Sequence, residues 1–540
     1  MFQFPRKAAI AAVAAAALAL TACTGSGNTS PTAAPEGDGI YIGQFGGEAL
    51  ELTEPTQGGE LNLGLSFAVP HLDPAGAIGG SIEFVLIAVF GHLLEVQPDG
   101  TVGEGIALGA TTEDNTVWTL ELREGVTFSD GTPLDADAVI AHVNRVAAED
   151  STSLSAGDAR SIASMEAIDD YTVEFTLAAP NRQFDLLFAT GGLSLIPSPT
   201  AVEEHGADFG LNPVGAGPFV VESFTPDGEI VLARNESYFE DGLPYLDRAV
   251  LVPVLDIQAR IAGVAAGDID AATVPDLVAL AEAEAQGITG LEQPSYQQYL
   301  IQPNVANEFL GDVRVRKAIS HAIDRDAINA VIFDGLHPSA TSLLAPSNPN
   351  YVDTGWPLYD PEAATALIEE FKADTGATDI AFTMMVNQEQ ISSDIAALLQ
   401  QQLAAVGITL TPEVVDPTTQ ISNVVAGTFD SLLMPRAFPA ETTSILGQAF
   451  GASFLNFGSG TNPEFEALLD QVAATTTDEE RLALVPEMLE VLTEWVPAIP
   501  VVGSGIGRIV GPHVAGFPDG DPNSTSSEVF DLSAVWVFQE

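Results

Sequence analysis

The chain has 540 residues, of which 75 are Asp or Glu and 17 are Lys or Arg, so its formal net charge is −58. This balance excludes nucleic-acid binding, which needs clustered cations, and adhesion to anionic lipid through a basic patch. A single cysteine excludes an internal disulfide framework and a cysteine-rich zinc site. A hydrophobic fraction of 46% predicts a globular protein of several domains, and the high charge favours a soluble monomer.

The N-terminus has the pattern of a secretory signal. A short positive region precedes an apolar run over 8–20, which is shorter than the roughly 20 residues needed to span a bilayer. The Leu-Thr-Ala-Cys motif at 20–23 resembles the bacterial lipobox, in which cleavage before the cysteine leaves a lipid-modified N-terminus. We expect a lipoprotein signal peptide over 1–22, lipidation of Cys23 and a flexible Gly/Pro/Ser/Thr-rich tether over 23–58. An ordinary signal peptide with a chance cysteine is the alternative.

From residue 59 onward, short strand patterns alternate with helical patterns, which predicts an α/β architecture. The clearest predicted elements, in chain order, are strands at 61–65, 118–122 and 171–177 with a helix capped by Asp135, a helix at 313–330, a helix at 391–406 ended by Gly407, a strand at 408–410 and a helix at 482–492 kinked by Pro486.

Motifs for catalysis and cofactors are absent from the sequence. There is no phosphate-binding Gly-x-x-x-x-Gly-Lys loop, no dinucleotide-binding Gly-x-Gly-x-x-Gly and no Gly-x-Ser-x-Gly nucleophile elbow. The seven histidines are scattered, without a His-Glu-x-x-His pair. We therefore expect no catalytic residue, no metal site and no cofactor. The remaining alternatives are a binding protein and an enzyme on an unrecognised α/β scaffold.

Several longer motifs occur in a specific order. The segment 118–139 reads WTLELREGVTFSDGTPLDADAV. It is followed by NPVGAGPF at 212–219, AGDID at 266–270, DVRVRKAIS at 312–320 and NPEF at 462–465. This collinear series resembles the extracytoplasmic solute-binding proteins of ABC importers, in the peptide/nickel (oligopeptide-binding) branch, family 5.

The resemblance implies a periplasmic-binding-protein-like α/β fold of two lobes with a hinge and a third, inserted domain. The first lobe would comprise residues 59–80, 205–300 and 497–540, the inserted domain 81–204, and the second lobe 301–496. Ligand would be buried between the lobes, and hinge closure would present both lobes to the membrane permease.

In the peptide-binding members, a Gly-Trp-x-x-Asp-Tyr-x-Asp-Pro segment follows a strand, and its Asp pairs with the peptide ammonium group. Here the strand at 429–434 is followed by PRAFPAE at 435–441, without that Trp and Asp. Glu441 is an alternative ammonium partner, and Arg436 is a candidate for a carboxylate or phosphate. Position in the family fold completes the predicted ligand-binding set, which is Ser66, Phe67, Val69, Tyr296, Gln298, Asn304, Asn387, Met434, Arg436, Phe438 and Glu441.

These observations predict a lipid-anchored, extracytoplasmic receptor that delivers oligopeptides or peptide-like solutes to permease subunits of an ABC transporter. A non-peptide, anionic solute is the first alternative. An enzyme, or a receptor that signals or acts as a chaperone without import, are the others.

Overall fold

The computed structural model describes residues 55–76, 82–97, 100–293, 295–453, 455–517 and 530–538. The predicted signal peptide, Cys23 and the predicted tether up to residue 54 lie outside these ranges. None of the described helices combines the length and hydropathy that a membrane crossing requires.

The described strands are β1 (Glu60–Leu65), β2 (Leu94–Val96), β3 (Val102–Glu104), β4 (Ala107–Thr112), β5 (Val117–Leu122), β6 (Ile162–Asp169), β7 (Thr172–Leu177), β8 (Phe219–Phe224), β9 (Ile230–Arg234), β10 (Arg248–Pro253), β11 (Ala271–Val274), β12 (Thr289–Gln293), β13 (Gln297–Pro303), β14 (Ile380–Val386), β15 (Ile408–Val414), β16 (Ser431–Ala437), β17 (Ile499–Gly503), β18 (Ile506–Val510), β19 (Val514–Ala515) and β20 (Trp536–Val537).

The described α-helices are α1 (Ile82–Phe90), α2 (Ala136–Ala147), α3 (Ala156–Arg160), α4 (Pro199–His205), α5 (Ile257–Ala266), α6 (Leu277–Ala285), α7 (Val313–Ala322), α8 (Arg325–Ile332), α9 (Pro361–Thr375), α10 (Gln390–Ala405), α11 (Pro417–Ala426), α12 (Thr442–Phe450), α13 (Pro463–Ala474), α14 (Asp478–Leu482) and α15 (Val485–Trp495).

The first lobe is built on a seven-stranded sheet in the order β12-β18-β11-β1-β10-β9-β8. β1 is central and runs parallel to both β10 and β11. Its alternation predicted the strand correctly, and Leu61 and Leu63 are buried at 0% and 2% exposure. A mixed sheet with a parallel centre and helices packed against it is the expected scaffold for sites at strand ends.

The second lobe is built on a five-stranded sheet in the order β15-β14-β16-β13-β17. β14 is parallel to β15 and β16, whereas β13 pairs antiparallel with β16 and β17. The division of the chain into domains stays a prediction, but strand pairing places β13 and β17 in this sheet, a few residues beyond the predicted limits of 301–496.

A third, four-stranded antiparallel sheet has the order β4-β5-β7-β6. Its strands fall in sequence between β1 and β8 of the first sheet, so this part is an inserted domain. Trp118 on β5 is 1% exposed and packs on Phe184 at 5.8 Å between ring centroids. The Asp135 side chain accepts the N–H of Ala138 and caps α2, as the sequence predicts.

Two predicted helices differ from the structure. The predicted helix at 313–330 is two helices, because the chain is extended at Ile323 and Asp324 caps α8. The predicted helix at 482–492 is also interrupted: α14 ends at Leu482, and Pro486 lies in the first turn of α15. Proline is tolerated in a first helical turn because its missing N–H would have no intrahelical partner there.

Candidate functional site

The chain passes between the two large sheets twice, at neighbouring positions. β12 leads into β13, and β17 leads back into β18. Ser504, in the second crossover, donates its backbone N–H to the carbonyl of Gln297 at 2.9 Å. Adjacent crossovers between two lobes are the type of connection about which lobes close on a ligand.

His337 connects the two lobes at these crossovers. Its side chain is 4% exposed and stacks on Phe333 with 3.9 Å between ring centroids. Nδ1 lies 2.9 Å from the carbonyl oxygen of Gly503 and 3.3 Å from the backbone N of Gly505, and Nε2 accepts the N–H of Leu277 at 3.3 Å. Burial lowers the pKa of His337. A neutral ring that donates from Nδ1 to Gly503 and accepts at Nε2 from Leu277 satisfies two of these three contacts.

Arg436 is a half-buried cation near the end of β16. Its Cζ atom lies 5.9 Å from the ring centroid of Phe438, 6.0 Å from that of Phe450 and 5.9 Å from that of Phe457. Its Nη1 atom is buried and has no hydrogen-bond partner among the described residues. Burial lowers the pKa of Arg436 to about 10, which leaves the guanidinium charged at neutral pH. A buried charge of this kind is stable only with compensation, and an anionic ligand would supply it.

Gln298 on β13 lies directly opposite Arg436 in the antiparallel pair. Its Nε2 donates to the carbonyl oxygens of Ser342 at 3.2 Å and Leu343 at 2.7 Å. These bonds orient the amide, and its Oε1 is buried without a hydrogen-bond partner in the described part of the chain. Because opposite residues of an antiparallel pair share one face of the sheet, this face presents a cationic donor beside a neutral acceptor.

Glu441 is engaged within the second lobe. It is 6% exposed and Arg481 is 3% exposed. Arg481 Nη1 donates to Glu441 Oε1, and Thr443 Oγ1 donates to the same oxygen at 2.8 Å. The N–H of Ser444 donates to Oε2 at 3.1 Å, which caps α12. Burial raises the pKa of Glu441, and Arg481 opposes this effect. A carboxylate with these partners has little capacity left for a ligand ammonium group.

Two predicted asparagines shape the backbone at strand ends. Asn304 Nδ2 donates to the carbonyl oxygens of Gly427 at 3.2 Å and Phe429 at 2.8 Å. Asn387 Oδ1 accepts the N–H of Glu389 at 3.2 Å, and its Nδ2 donates to Glu389 Oε2 at 2.9 Å. These partners use both N–H donors of Asn304 and one of the two N–H donors of Asn387.

The other predicted residues differ in exposure. Ser66 and Phe67 are half-buried directly after β1, and Met434 is half-buried on β16. Val69 is fully buried in the core of the first lobe, and Tyr296 is buried at the first crossover. Among the described residues, no group of three or more His, Cys, Asp or Glu side chains is arranged to hold a metal ion.

Phe450 and Phe457 were not predicted from the sequence. They lie at the end of α12 and in the loop beyond it, outside the 435–441 segment, and no sequence pattern links them to Arg436. Gly100 of the inserted domain, which has φ +83°, was not predicted either. A Cβ added at Gly100 would lie 2.8 Å from the backbone N of Glu441 and 2.9 Å from the carbonyl carbon of Ala440. The inserted domain thus meets the second lobe beside the candidate segment.

A comparison with family models decides the classification. The model for bacterial extracellular solute-binding proteins, family 5 (middle region), matches residues 101–444, more than half of the chain. The chain belongs to this family. Family 5 proteins are the extracytoplasmic solute-binding components of ABC importers. This classification confirms the predicted family.

Individual relatives of this family 5 protein are similar over most of its length. The glutathione-binding protein GsiB of Salmonella paratyphi A (strain ATCC 9150 / SARB42) is 29% identical over 458 residues, which is 82% of this chain and 88% of the relative.

Solved structures show the same two-lobe fold. The oligopeptide-binding protein AppA from Bacillus subtilis, in complex with a nonapeptide, has a TM-score of 0.75 at 21% identity and covers 90% of this chain and 100% of its own. AgaA from A. tumefacien R10, in complex with agropinic acid, has a TM-score of 0.77 at 22% identity over 89% of this chain and 99% of its own.

Proposed function

We propose that this protein captures a small, anionic, peptide-like solute between its lobes and delivers it to the permease of an ABC importer. The observation that carries the proposal is the half-buried side chain of Arg436, which has aromatic neighbours and a buried Nη1 with no hydrogen-bond partner among the described residues. A solute carboxylate would supply the missing negative charge, and Arg binds carboxylates with directional, often bidentate bonds.

The rest of the site favours a ligand that is mainly apolar at this end and polar along its length. The ring of Phe457 is half-buried beside the guanidinium and is open to a ligand, whereas Phe438, which the sequence predicted to bind solute, and Phe450 are fully buried in the core behind it. Gln298 Oε1 provides an acceptor for one ligand N–H, such as a peptide amide. The relatives GsiB and AppA are named for glutathione and for oligopeptides. Glutathione is a tripeptide with two carboxylates and is the first solute to test.

A non-peptide carboxylate is the second candidate. The observation that favours it is the engagement of Glu441 by Arg481, which removes the predicted ammonium partner. A solute without an ammonium group would not need such a partner. Agropinic acid, the ligand of the structural neighbour AgaA, is a suitable test compound for this class.

Anchoring and release complete the proposal. Lipidation at Cys23 would hold the protein at the outer face of the cell membrane, and the segment up to residue 58 would let it reach the permease. The protein would act without catalysis, so the solute would be released chemically unchanged.

The test is isothermal titration calorimetry with glutathione, its diester, agropinic acid and an acidic oligopeptide, on wild-type protein and two matched variants. Arg436→Met keeps apolar contacts and removes the charge. Arg160→Met is the control, because Arg160 is exposed and bonds the carbonyl oxygens of Ala147 and Ala148.

We expect Arg436→Met to bind the carboxylate solute about 10- to 150-fold more weakly than wild type, because hydrogen bonds to charged groups contribute about 1.5–3 kcal/mol. Arg160→Met should bind like wild type, and the diester should bind weakly to all three proteins. Unchanged affinity of Arg436→Met for every carboxylate tested contradicts the proposal. Mass spectrometry of the released solute checks that it is intact.

A further inference from the structure

A cavity whose lining does not include Arg436 lies between the inserted domain and the second lobe. Its volume is about 320 Å³. One wall is the segment that follows β7, with Asn181, Arg182 and Gln183, and the opposite wall comes from α12, α13 and the loop between them. None of the residues predicted to bind solute from the family fold lines this cavity. It is of the size of the smallest small-molecule sites, about 300 Å³.

Both a hydrogen-bond donor and a hydrogen-bond acceptor lie buried beside this cavity. Arg182 Nε and Glu466 Oε1 are both buried, and the described residues offer neither of them a hydrogen bond. The Gln183 side chain also lies at this cavity, but its hydrogen bond to Glu441 helps to keep that carboxylate charged. Buried donors and acceptors are rarely left without partners, so one of each beside a single cavity indicates a site for a polar ligand.

The charges of the cavity define the chemistry of this ligand. Arg182 Nη2 pairs with Asp478 at 3.3 Å, so the guanidinium is already partly neutralised while its Nε remains available. Glu466 has no ion pair within the described ranges. The walls therefore require a ligand with an acceptor at one end and a positively charged donor at the other.

We propose that this cavity binds a small zwitterion of the free amino acid class. The ligand carboxylate would accept a hydrogen bond from Arg182 Nε. The ligand ammonium group would donate to Glu466 Oε1. Because Arg182 belongs to the inserted domain and Glu466 belongs to the second lobe, one bound molecule would connect the two parts. This site is additional to the solute site at Arg436.

Three variants separate the two sites. Glu466→Gln has nearly the same size as wild type and removes the negative charge that the ammonium group needs. Glu464→Gln is the matched control, because Glu464 is an exposed acid on the same helix, α13. Arg436→Met alters the solute site and leaves the cavity intact.

The probe is a pool of the common free L-amino acids, followed by its single members, with saturation-transfer NMR and calorimetry on the full protein. We expect at least one amino acid to bind wild type, Glu464→Gln and Arg436→Met within twofold of one another and Glu466→Gln at least tenfold more weakly. Thermal unfolding should confirm that all variants are folded. The proposal is overturned if no amino acid binds, if Glu466→Gln binds as tightly as wild type, or if Arg436→Met loses the binding. Each of these results leaves the anionic-solute proposal to its own test.

Discussion

Whether Glu441 binds ligand or stabilises the fold depends on its buried ion pair with Arg481. Substituting Arg481→Met removes the charge that compensates Glu441 and also the bond from Nη1 to Thr443 Oγ1 at 2.8 Å. With exposures of 6% and 3%, the two side chains gain little from solvent screening. Removing one partner of a buried ion pair costs about 3–5 kcal/mol in the free energy of unfolding.

The loss should depend on pH. Burial already raises the pKa of Glu441 in the wild type, and Arg481 opposes this effect. Without Arg481 the pKa of Glu441 rises further, so the folded variant binds a proton that the unfolded chain releases, and its stability falls as pH rises. The penalty should therefore be largest at about pH 8 and smaller at about pH 5, where protonation removes the buried charge.

The assay is urea unfolding of wild type, Arg481→Met and the double variant Glu441→Gln/Arg481→Met, followed by fluorescence and circular dichroism. A protein of several domains unfolds in more than one transition, so the comparison applies to the transition that the substitution shifts. The double variant should lose only about 1–2 kcal/mol, because no charge stays buried without a partner.

If Glu441 has a structural role, the double variant should keep wild-type solute affinity. Two results would refute the reasoning. One is a loss below about 1 kcal/mol in Arg481→Met at about pH 8. The other is a double variant that is as stable as wild type and binds solute poorly, which would return Glu441 to the role of ammonium partner.

Two further predictions concern the contacts between the lobes. Because the pKa of His337 is lowered below 6.5 in the folded protein, the unfolded chain takes up the extra proton first, and stability should fall as pH drops below 6.5. In H337Q, the amide can still donate to Gly503 and accept from Leu277, but it does not titrate. The urea midpoint of H337Q should therefore vary less with pH than that of wild type. Equal pH dependence of the two proteins would show that His337 is not the source of this effect. Gly100→Ala should hinder the approach of the inserted domain to the second lobe. We expect it to weaken solute binding several-fold, and calorimetry would measure this affinity. The control is Gly131→Ala, which has the same backbone strain at φ +84° and nothing within 4 Å of the new Cβ; equal affinity of the two variants would contradict the steric argument.

The collinear motifs and local patterns predicted much of the fold. Alternation located β1, β5 and β7 because side-chain period decides which face of a strand is buried. Asp135 marked the start of α2 because capping depends on neighbours only three residues away. The long helix at 313–330 was predicted wrongly, since its apolar period continues through Asp324, where capping of α8 interrupts the helix.

The candidate site was predicted less completely. Arg436 was selected from its segment, but the burial that makes it a cation in need of an anion comes from Phe450 and Phe457, which lie outside that segment. Whether Glu441 faces a ligand or Arg481 likewise depends on where α14 packs.

The sequence by itself determined the α/β class, the family and the acidic character of this protein, because these follow from composition, short-range periodicity and ordered motifs. Only the tertiary structure decided which charges have partners. It paired Glu441 with Arg481, left Arg436 Nη1 without a hydrogen-bond partner among the described residues, and brought Arg182 and Glu466 to one cavity. The physical reason is that desolvation and Coulomb energy depend on distances between residues far apart in the chain, which local patterns do not encode.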